Sequence, residues 1–171
     1  MFTSSALIQK CRRLVILYIT TLDSLFVDTL TNASSRPVVF VTDESAEYRQ
    51  LVRHVFTCFL PEYELRLFEN GRALQRALIG EDQPGLIVIG ASSPVTTWCE
   101  LIMKLRETAR YKNTPVVLMS STNADSDVSA CYGAGANSYM VKPENLEAAE
   151  QLLPTVCTYW FKLHQQSLIT V

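Results

Sequence analysis

Five short apolar runs, each followed by a segment of helical spacing, constrain the fold of this chain more than any other feature. The runs are 38–41, 63–68, 86–89, 116–119 and 137–141, and the helical segments are 47–59, 72–79, 97–108, 125–132 and 144–164. Continuous apolar runs are typical of strands buried on both faces, and strict alternation with helices is typical of a parallel sheet. The pattern predicts an α/β fold, with a five-stranded parallel sheet and helices on both of its faces.

Residues 1–36 precede this alternation and predict an N-terminal helical extension, which leaves 37–171 as the α/β domain. Apolar residues from Leu14 to Leu30 follow helical spacing, but Asp23 and Asp28 interrupt them, so the segment is a poor membrane span. A signal peptide is a weaker interpretation, because the apolar core is short. A third interpretation is that these residues are upstream sequence translated from an early start codon. We expect a helix that docks on its own domain or on a second copy.

The composition excludes several classes of protein. With 48% hydrophobic and 19% charged residues, the chain is of the soluble globular type. The net charge of −2 gives no electrostatic basis for binding nucleic acid, and no membrane association is expected. The five cysteines form no Cys-x-x-Cys pair, and the two histidines lack metal-ligand spacing. Cysteines placed within apolar patterns indicate small buried side chains in a reducing compartment, so we expect a cytoplasmic protein.

The candidate functional residues follow the predicted strands, because ligands of open α/β sheets bind outside the carboxyl ends of the strands. Asp43 follows the first run and Lys142 the last, whereas the central run delivers Gly90. Between Gln83 and Cys99 the sequence contains no Asp or Glu. A reaction that needs a carboxylate at the central strand is therefore excluded.

Several residues after or between the predicted strands stand in a characteristic order and spacing. They are Pro94, Glu100-Leu101, Leu105-Arg106, Ser120, Tyr139 and Lys142-Pro143. In this order and spacing the chain resembles, from Pro37 to Lys162, the receiver domain of response regulators, of the chemotaxis-regulator type. The long last helix with Tyr159, Trp160 and Phe161 is similar to that of the single-domain, phytochrome-linked subgroup.

The resemblance implies a (βα)5 flavodoxin-like receiver fold and a site that has lost its chemistry. A working receiver uses an aspartate on the third strand to accept a phosphoryl group, and two acidic residues after the first strand to help hold Mg²⁺. Here Gly90 stands at the phosphoacceptor position and Thr42 at the first acidic position. Asp43 matches the second, and Glu44 lies one place too far along. Mg²⁺ binding at Asp43 should be weak or absent.

The remaining matched residues form a vestigial pocket. Ser120 matches the family's conserved hydroxyl residue, Lys142 its invariant lysine and Tyr139 its switch aromatic. A buried lysine is stabilised by a carboxylate partner, so we expect Lys142 and Asp43 to form a salt bridge.

These features predict a pseudo-receiver of two-component phosphorelay signalling rather than an enzyme. The chain ends at Val171, soon after the last helix, so we expect it to signal through a partner protein. The expected docking surface is the face formed by the fourth helix, the fifth strand and the fifth helix, and a homodimer is a second occupant. A small ligand that replaces phosphorylation also stays open.

A small α/β enzyme or cofactor-binding protein that shares only the topology is the alternative interpretation. Against it, the segment from Thr42 to Ser45 is acidic and lacks the glycines of a phosphate-binding loop. Ser92 and Ser93 do not form a nucleophile elbow, because Pro94 stands where the closing glycine would be. Trp98 either covers the emptied pocket or is exposed as a contact residue.

Overall fold

The structure, a computed structural model, describes residues 36–80, 83–91 and 94–164. The chain divides into two units, residues 1–35 and 36–171, and all the described residues belong to the second. The predicted N-terminal extension and the loop residues Ser92 and Ser93 lie outside the described residues. Among the helices in the described ranges, none combines the length and the apolar character that crossing a membrane requires.

The described unit contains a five-stranded parallel sheet, as the alternation predicts. The strands are β1 Val38–Asp43, β2 Glu64–Phe68, β3 Leu86–Ala91, β4 Val116–Ser120 and β5 Ser138–Val141. They lie in the order β2-β1-β3-β4-β5. The helices are α1 Ala46–Phe59, α2 Gly71–Leu78, α3 Thr96–Glu107, α4 Asp125–Gly133 and α5 Leu146–Thr158. A π-helical segment, Tyr159–Leu163, follows the last α-helix.

Alternating side chains of the central strands enter two separate cores, one on each face of the sheet. Phe40 and Ile87 enter the core beneath α2, α3 and α4. Val41 and Val88 enter the core beneath α1 and α5. Each fully buried aliphatic or aromatic side chain contributes about 1.5 to 3 kcal/mol relative to exposure. Because both faces are covered, β1, β3 and β4 read as continuous apolar runs in the sequence.

Side-chain caps fix where three of the helices begin. Ser45, Asn70 and Asn145 precede α1, α2 and α5, and each accepts a hydrogen bond from the amide three residues on. Such a cap is worth about 1 kcal/mol. Asn145 therefore starts the last helix at Leu146, later than the sequence pattern suggests. The caps of α1 and α5 also set the loops that carry the candidate site.

The three consecutive aromatic residues at the end of the chain divide between core and surface. Trp160 is buried, and the ring of Phe161 lies 4.9 Å from that of Tyr63. A Cβ at Gly85 would lie 2.6 Å from Phe161, so this close packing depends on the glycine. Tyr159 remains 45% exposed. Two of the three rings therefore pack against the domain at the amino end of the sheet.

Candidate functional site at the carboxyl edge of the sheet

Asp43 is the last residue of β1, and its carboxylate is almost completely buried, at 2% exposure. Its Oδ1 accepts a hydrogen bond from the amide of Ser45 at 2.9 Å. Its carbonyl oxygen accepts another from the guanidinium of Arg49 at 2.7 Å. The start of α1 therefore holds both the backbone and the side chain of Asp43 in place.

Gly90 lies directly beside Asp43, because the two residues are partners in the parallel register of β1 and β3. A Cβ built on Gly90 would lie 1.8 Å from Asp43 Oδ2, far closer than two non-bonded atoms can approach. The carboxylate of Asp43 thus occupies the space that any side chain at position 90 would need. The glycine does not leave a hole, since its neighbour fills it.

Lys142, just after β5, provides the counter-ion. Its Nζ lies 2.6 Å from Asp43 Oδ2, and its side chain is 16% exposed. The ammonium also lies 4.0 Å from the ring centroid of Tyr48, a cation–π distance. Burial, with the nearby charge of Asp43, raises the pKa of Tyr48 well above its ordinary value, so its hydroxyl stays neutral. The pair and the ring form a compact, charge-balanced group.

Thr42 and Glu44 point away from this group. Because side chains alternate along a strand, Thr42 faces the core beneath α2 and α3, where its hydroxyl is fully buried without a hydrogen-bond partner. Glu44 is exposed and lines a groove of about 690 Å³ between α2 and α3, together with Arg72 and Lys104. The structure therefore brings together Asp43, Gly90 and Lys142 but neither of these neighbours.

Ser120 and Tyr139 belong to a second, connected group at the ends of β4 and β5. Ser120 Oγ lies 3.2 Å from Thr122 Oγ1, which donates to the carboxylate of Asp127 in α4 at 3.2 Å. The hydroxyl of Tyr139 donates to the carbonyl of Thr122 at 2.6 Å. The amide of Lys142 donates to the carbonyl of Ser120 at 2.8 Å, which joins the two groups through the backbone. The loop between β4 and α4 is thus tied to both strands.

The residues at this edge do not fit a divalent metal site. Mg²⁺ requires near-octahedral coordination by oxygen atoms, usually with at least one or two free carboxylates. Asp43 already uses one oxygen for Lys142 and the other for an amide. Across the residues that the structure describes, no three His, Cys, Asp or Glu side chains are placed to hold a metal ion.

Trp98 is buried in α3, at 4% exposure, which contradicts the interpretation as an exposed contact residue. Its ring packs near Gly71 at the start of α2, where an added Cβ would lie 3.4 Å away. Trp98 also lines the groove that contains Glu44. The bulky indole joins α2 to α3 on the face opposite to Asp43.

Tyr48 and Thr122 are site residues that the sequence analysis missed. Tyr48 occupies a core position in the helical pattern of α1, so its contact with Lys142 has no separate sequence signal. Thr122 lies two residues after β4 in a polar loop, a place where hydroxyl residues are common in turns. Only the three-dimensional structure shows that its carbonyl and hydroxyl connect Ser120, Tyr139 and α4.

Comparisons with known proteins agree with this architecture. The profile of the response regulator receiver domain matches residues 39–153. The two-component response regulator ARR17 of Arabidopsis thaliana is 30% identical over 125 residues, which span 67% of this chain and 80% of the relative.

Solved structures give the same result for the fold. The chemotaxis response regulator CheY4 of Vibrio cholerae is 27% identical, with a TM-score of 0.59 over 71% of this chain and 99% of that one. The phosphorylated cyanobacterial phytochrome response regulator RcpA is 19% identical, with a TM-score of 0.68 over 77% of this chain and 98% of that one. At that identity the second similarity establishes the fold alone.

Proposed function

This chain belongs to the response regulator receiver domain family of two-component signalling, and we propose that it is a pseudo-receiver that aspartate phosphorylation does not switch. The observation that carries the proposal is the position of Asp43. Its carboxylate fills the space beside Gly90 and neutralises Lys142 at 2.6 Å. A phosphoryl group therefore meets neither a nucleophilic carboxylate at position 90 nor a free ammonium.

The chemistry of phosphoryl transfer supports this proposal. An incoming phosphoryl group is stabilised by cations and by hydrogen-bond donors placed around its oxygens. Lys142 is already engaged with Asp43, and the hydroxyl of Ser120 lies within hydrogen-bond distance of Thr122. Any Mg²⁺ bound here would be held weakly, because Asp43 would have to release Lys142 first.

Without this reaction, we propose that the protein acts by docking to a signalling partner through the face formed by α4, β5 and α5. Tyr139 lies on that face and is tied to the loop after β4. A homodimer through the same face is the second candidate.

Family membership disfavours the alternative of a small enzyme or cofactor-binding protein, and nucleic acid is not expected as a partner. The free thiols of Cys58, Cys99, Cys131 and Cys157 are consistent with a reducing cytoplasm.

Intact mass spectrometry with a small phosphodonor tests the proposed loss of phosphorylation. The protein is incubated with acetyl phosphate and Mg²⁺, beside a receiver that carries the phosphoacceptor aspartate as a positive control. We expect a phosphoryl adduct on the control and none on this chain. A hydroxylamine-sensitive adduct on this chain would overturn the proposal, and peptide mapping would identify the residue.

The Gly90→Asp variant adds a second arm. Its new carboxylate must displace Asp43, which would place two carboxylates beside Lys142. We expect this variant to gain the adduct that the parent chain does not form. Circular dichroism confirms that the variant is folded before its mass is interpreted.

A further inference from the structure

The edge made by α4, β5 and α5 exposes three large apolar side chains. Tyr132, Val141 and Leu146 are 50%, 53% and 41% exposed. The hydroxyl of Tyr132 accepts a hydrogen bond from the amide of Tyr139 at 3.2 Å, so Tyr132 lies against the outer side of β5. Val141 ends the same strand, and Leu146 begins α5. We refer to these three side chains as the β5 edge surface.

The two edges of the sheet differ in their protection. At the other edge, β2 carries Glu64 and Arg66, joined by an ion pair at 2.9 Å. Charged side chains on an edge strand discourage the docking of another chain. The strand β5 consists of Ser138, Tyr139, Met140 and Val141 and carries no charge. Its apolar character favours contact with a partner.

The segment that carries the β5 edge surface is mostly acidic, and the one guanidinium of the described residues that reaches it, that of Arg106, donates to the Gly135 carbonyl and to Asn137. Residues 121–161 contain five of the chain's 17 acidic residues but one of its 15 basic residues, Lys142. The ammonium of Lys142 lies 2.6 Å from Asp43 and is therefore already neutralised. The five acidic residues are Asp125, Asp127, Glu144, Glu147 and Glu150.

We infer that the β5 edge surface binds a basic amphipathic helix of a partner protein, with apolar residues on one side and lysines or arginines beside them. This inference rests on the proposed function, because it identifies the chemistry of the partner that a pseudo-receiver would dock. The apolar side of the helix covers Tyr132, Val141 and Leu146, and its cations face the carboxylates. Complementary charge steers such an encounter within a screening distance of about 8 Å at physiological salt.

The same charges disfavour a second copy of this chain as the occupant. A symmetric pair would place the five carboxylates of each copy opposite those of the other, since a two-fold interface joins the same patch on both subunits. Like charges across an interface oppose association. We therefore expect that this surface does not form a homodimer.

Fluorescence anisotropy with a synthetic peptide tests the inference on the full-length chain. The probe is a labelled helix with leucine at i, i+3, i+4 and i+7 and lysine at the flanking positions. Its control carries glutamate in place of every lysine. We expect the lysine peptide to bind, the glutamate peptide not to bind, and the affinity of the lysine peptide to fall as salt is raised.

Two pairs of variants separate this surface from general charge attraction. Glu144→Lys with Glu147→Lys should weaken the lysine peptide on the order of tenfold, since each reversal removes an attraction and adds a repulsion. Glu100→Lys with Glu107→Lys, exposed on α3, makes the same change in net charge and should leave the affinity nearly unchanged. Val141→Ser with Leu146→Ser should weaken binding without changing its salt dependence.

Equal binding of the two peptides, or equal loss in both charge-reversal pairs, would overturn the inference. A stable dimer that Val141→Ser with Leu146→Ser dissociates would also overturn it, because a second copy would then be the occupant. None of these outcomes affects the loss of phosphorylation, which the phosphodonor experiment tests separately.

Discussion

The two halves of the carboxyl edge of the sheet differ in how their side chains are connected. In the half formed by β1 and β3, Gly90 offers no side chain, and Asp43 fills its space and pairs with Lys142. In the half formed by β4 and β5, Ser120 and Tyr139 remain connected through Thr122. The first half has no carboxylate at position 90 and its ammonium is paired, whereas the second contains a hydrogen-bonded loop.

The two halves also differ in what their contacts depend on. The hydrogen bonds of Thr122 with Ser120, Asp127 and Tyr139 are internal to the protein. They do not require a phosphoryl group to be present. In contrast, Asp43 needs a counter-ion because it is buried, and Lys142 supplies it. If the two halves are separate, a change in one should leave the other unaffected.

Removal of Lys142 should give the largest effect. Lys142→Met leaves the buried carboxylate of Asp43 without its counter-ion, which should lower the free energy of unfolding by about 3 to 4 kcal/mol. Lys162→Met is the matched control: its ammonium is exposed and lies 3.9 Å from Glu62, so its loss should cost less than about 0.5 kcal/mol. Urea denaturation measures both. Equal costs would show that the Asp43–Lys142 pair is not structurally important.

A methyl group at position 90 should give the next effect. Gly90→Ala must push Asp43 away from Lys142, and we expect a loss of about 2 to 3 kcal/mol in the free energy of unfolding. Gly133→Ala is the control, because a Cβ there has no neighbour within 4 Å. In helix α4 that change should be neutral or stabilising by up to about 1 kcal/mol. A neutral Gly90→Ala would mean that the carboxylate does not occupy this space.

Loss of the Tyr139 hydroxyl should affect only the second half. Tyr139→Phe removes the hydrogen bond to the Thr122 carbonyl, which should cost about 1 kcal/mol. Hydrogen exchange should accelerate at amides of the loop between β4 and α4 but not at those of Ser45 or Tyr48. Faster exchange at both places would show that the halves are coupled rather than separate.

Thiol chemistry gives the smallest expected effect and reports on the cores outside the site. Burial raises the pKa of both Cys131 and Cys157 to about 12, whereas Cys58 is exposed. The thiolate is the reactive form, so iodoacetamide near neutral pH should label Cys58 well before the other two in the native protein. Peptide mapping measures the order, and rapid labelling of Cys157 would contradict its burial.

The same shifts predict a dependence of stability on pH. A free thiol in the unfolded chain has a pKa of about 8.5. Because the folded pKa of Cys131 and Cys157 is higher, the unfolded state loses protons first as the pH rises. The contribution of these thiols to the free energy of unfolding should therefore be constant at pH values well below about 8.5 and should decrease as the pH rises above it. Cys131→Ala should reduce this decrease, and chemical denaturation at a series of pH values measures it.

Much of the fold follows from the sequence because strands buried on both faces are continuous apolar runs that alternate with helical patterns. The runs that became β1 and β3 predict both the sheet and the position of Gly90. The pairing of Asp43 with Lys142 is also a sequence prediction, since both follow strands and carry opposite charge.

Other features have no linear signal. Thr42 precedes Asp43 in the chain, yet strand alternation buries it on the other face of the sheet. The contact of Tyr48 with Lys142 joins residues far apart in the chain. The carboxylate that fills the space beside Gly90 depends on a side-chain conformation, which no pattern of residue types specifies.

Two-dimensional NMR of the full-length chain, titrated with Mg²⁺ and then with acetyl phosphate, tests the central claim most directly. The amides of Asp43, Gly90, Ser120 and Lys142 report on both halves of the edge. If the Asp43–Lys142 pair closes the site, these signals should stay in place at millimolar metal and donor. Saturable shifts of the Gly90 signal that extend to Ser120 and Tyr139 would contradict the account. They would show that the site still binds Mg²⁺ or the phosphodonor and that both halves of the edge respond.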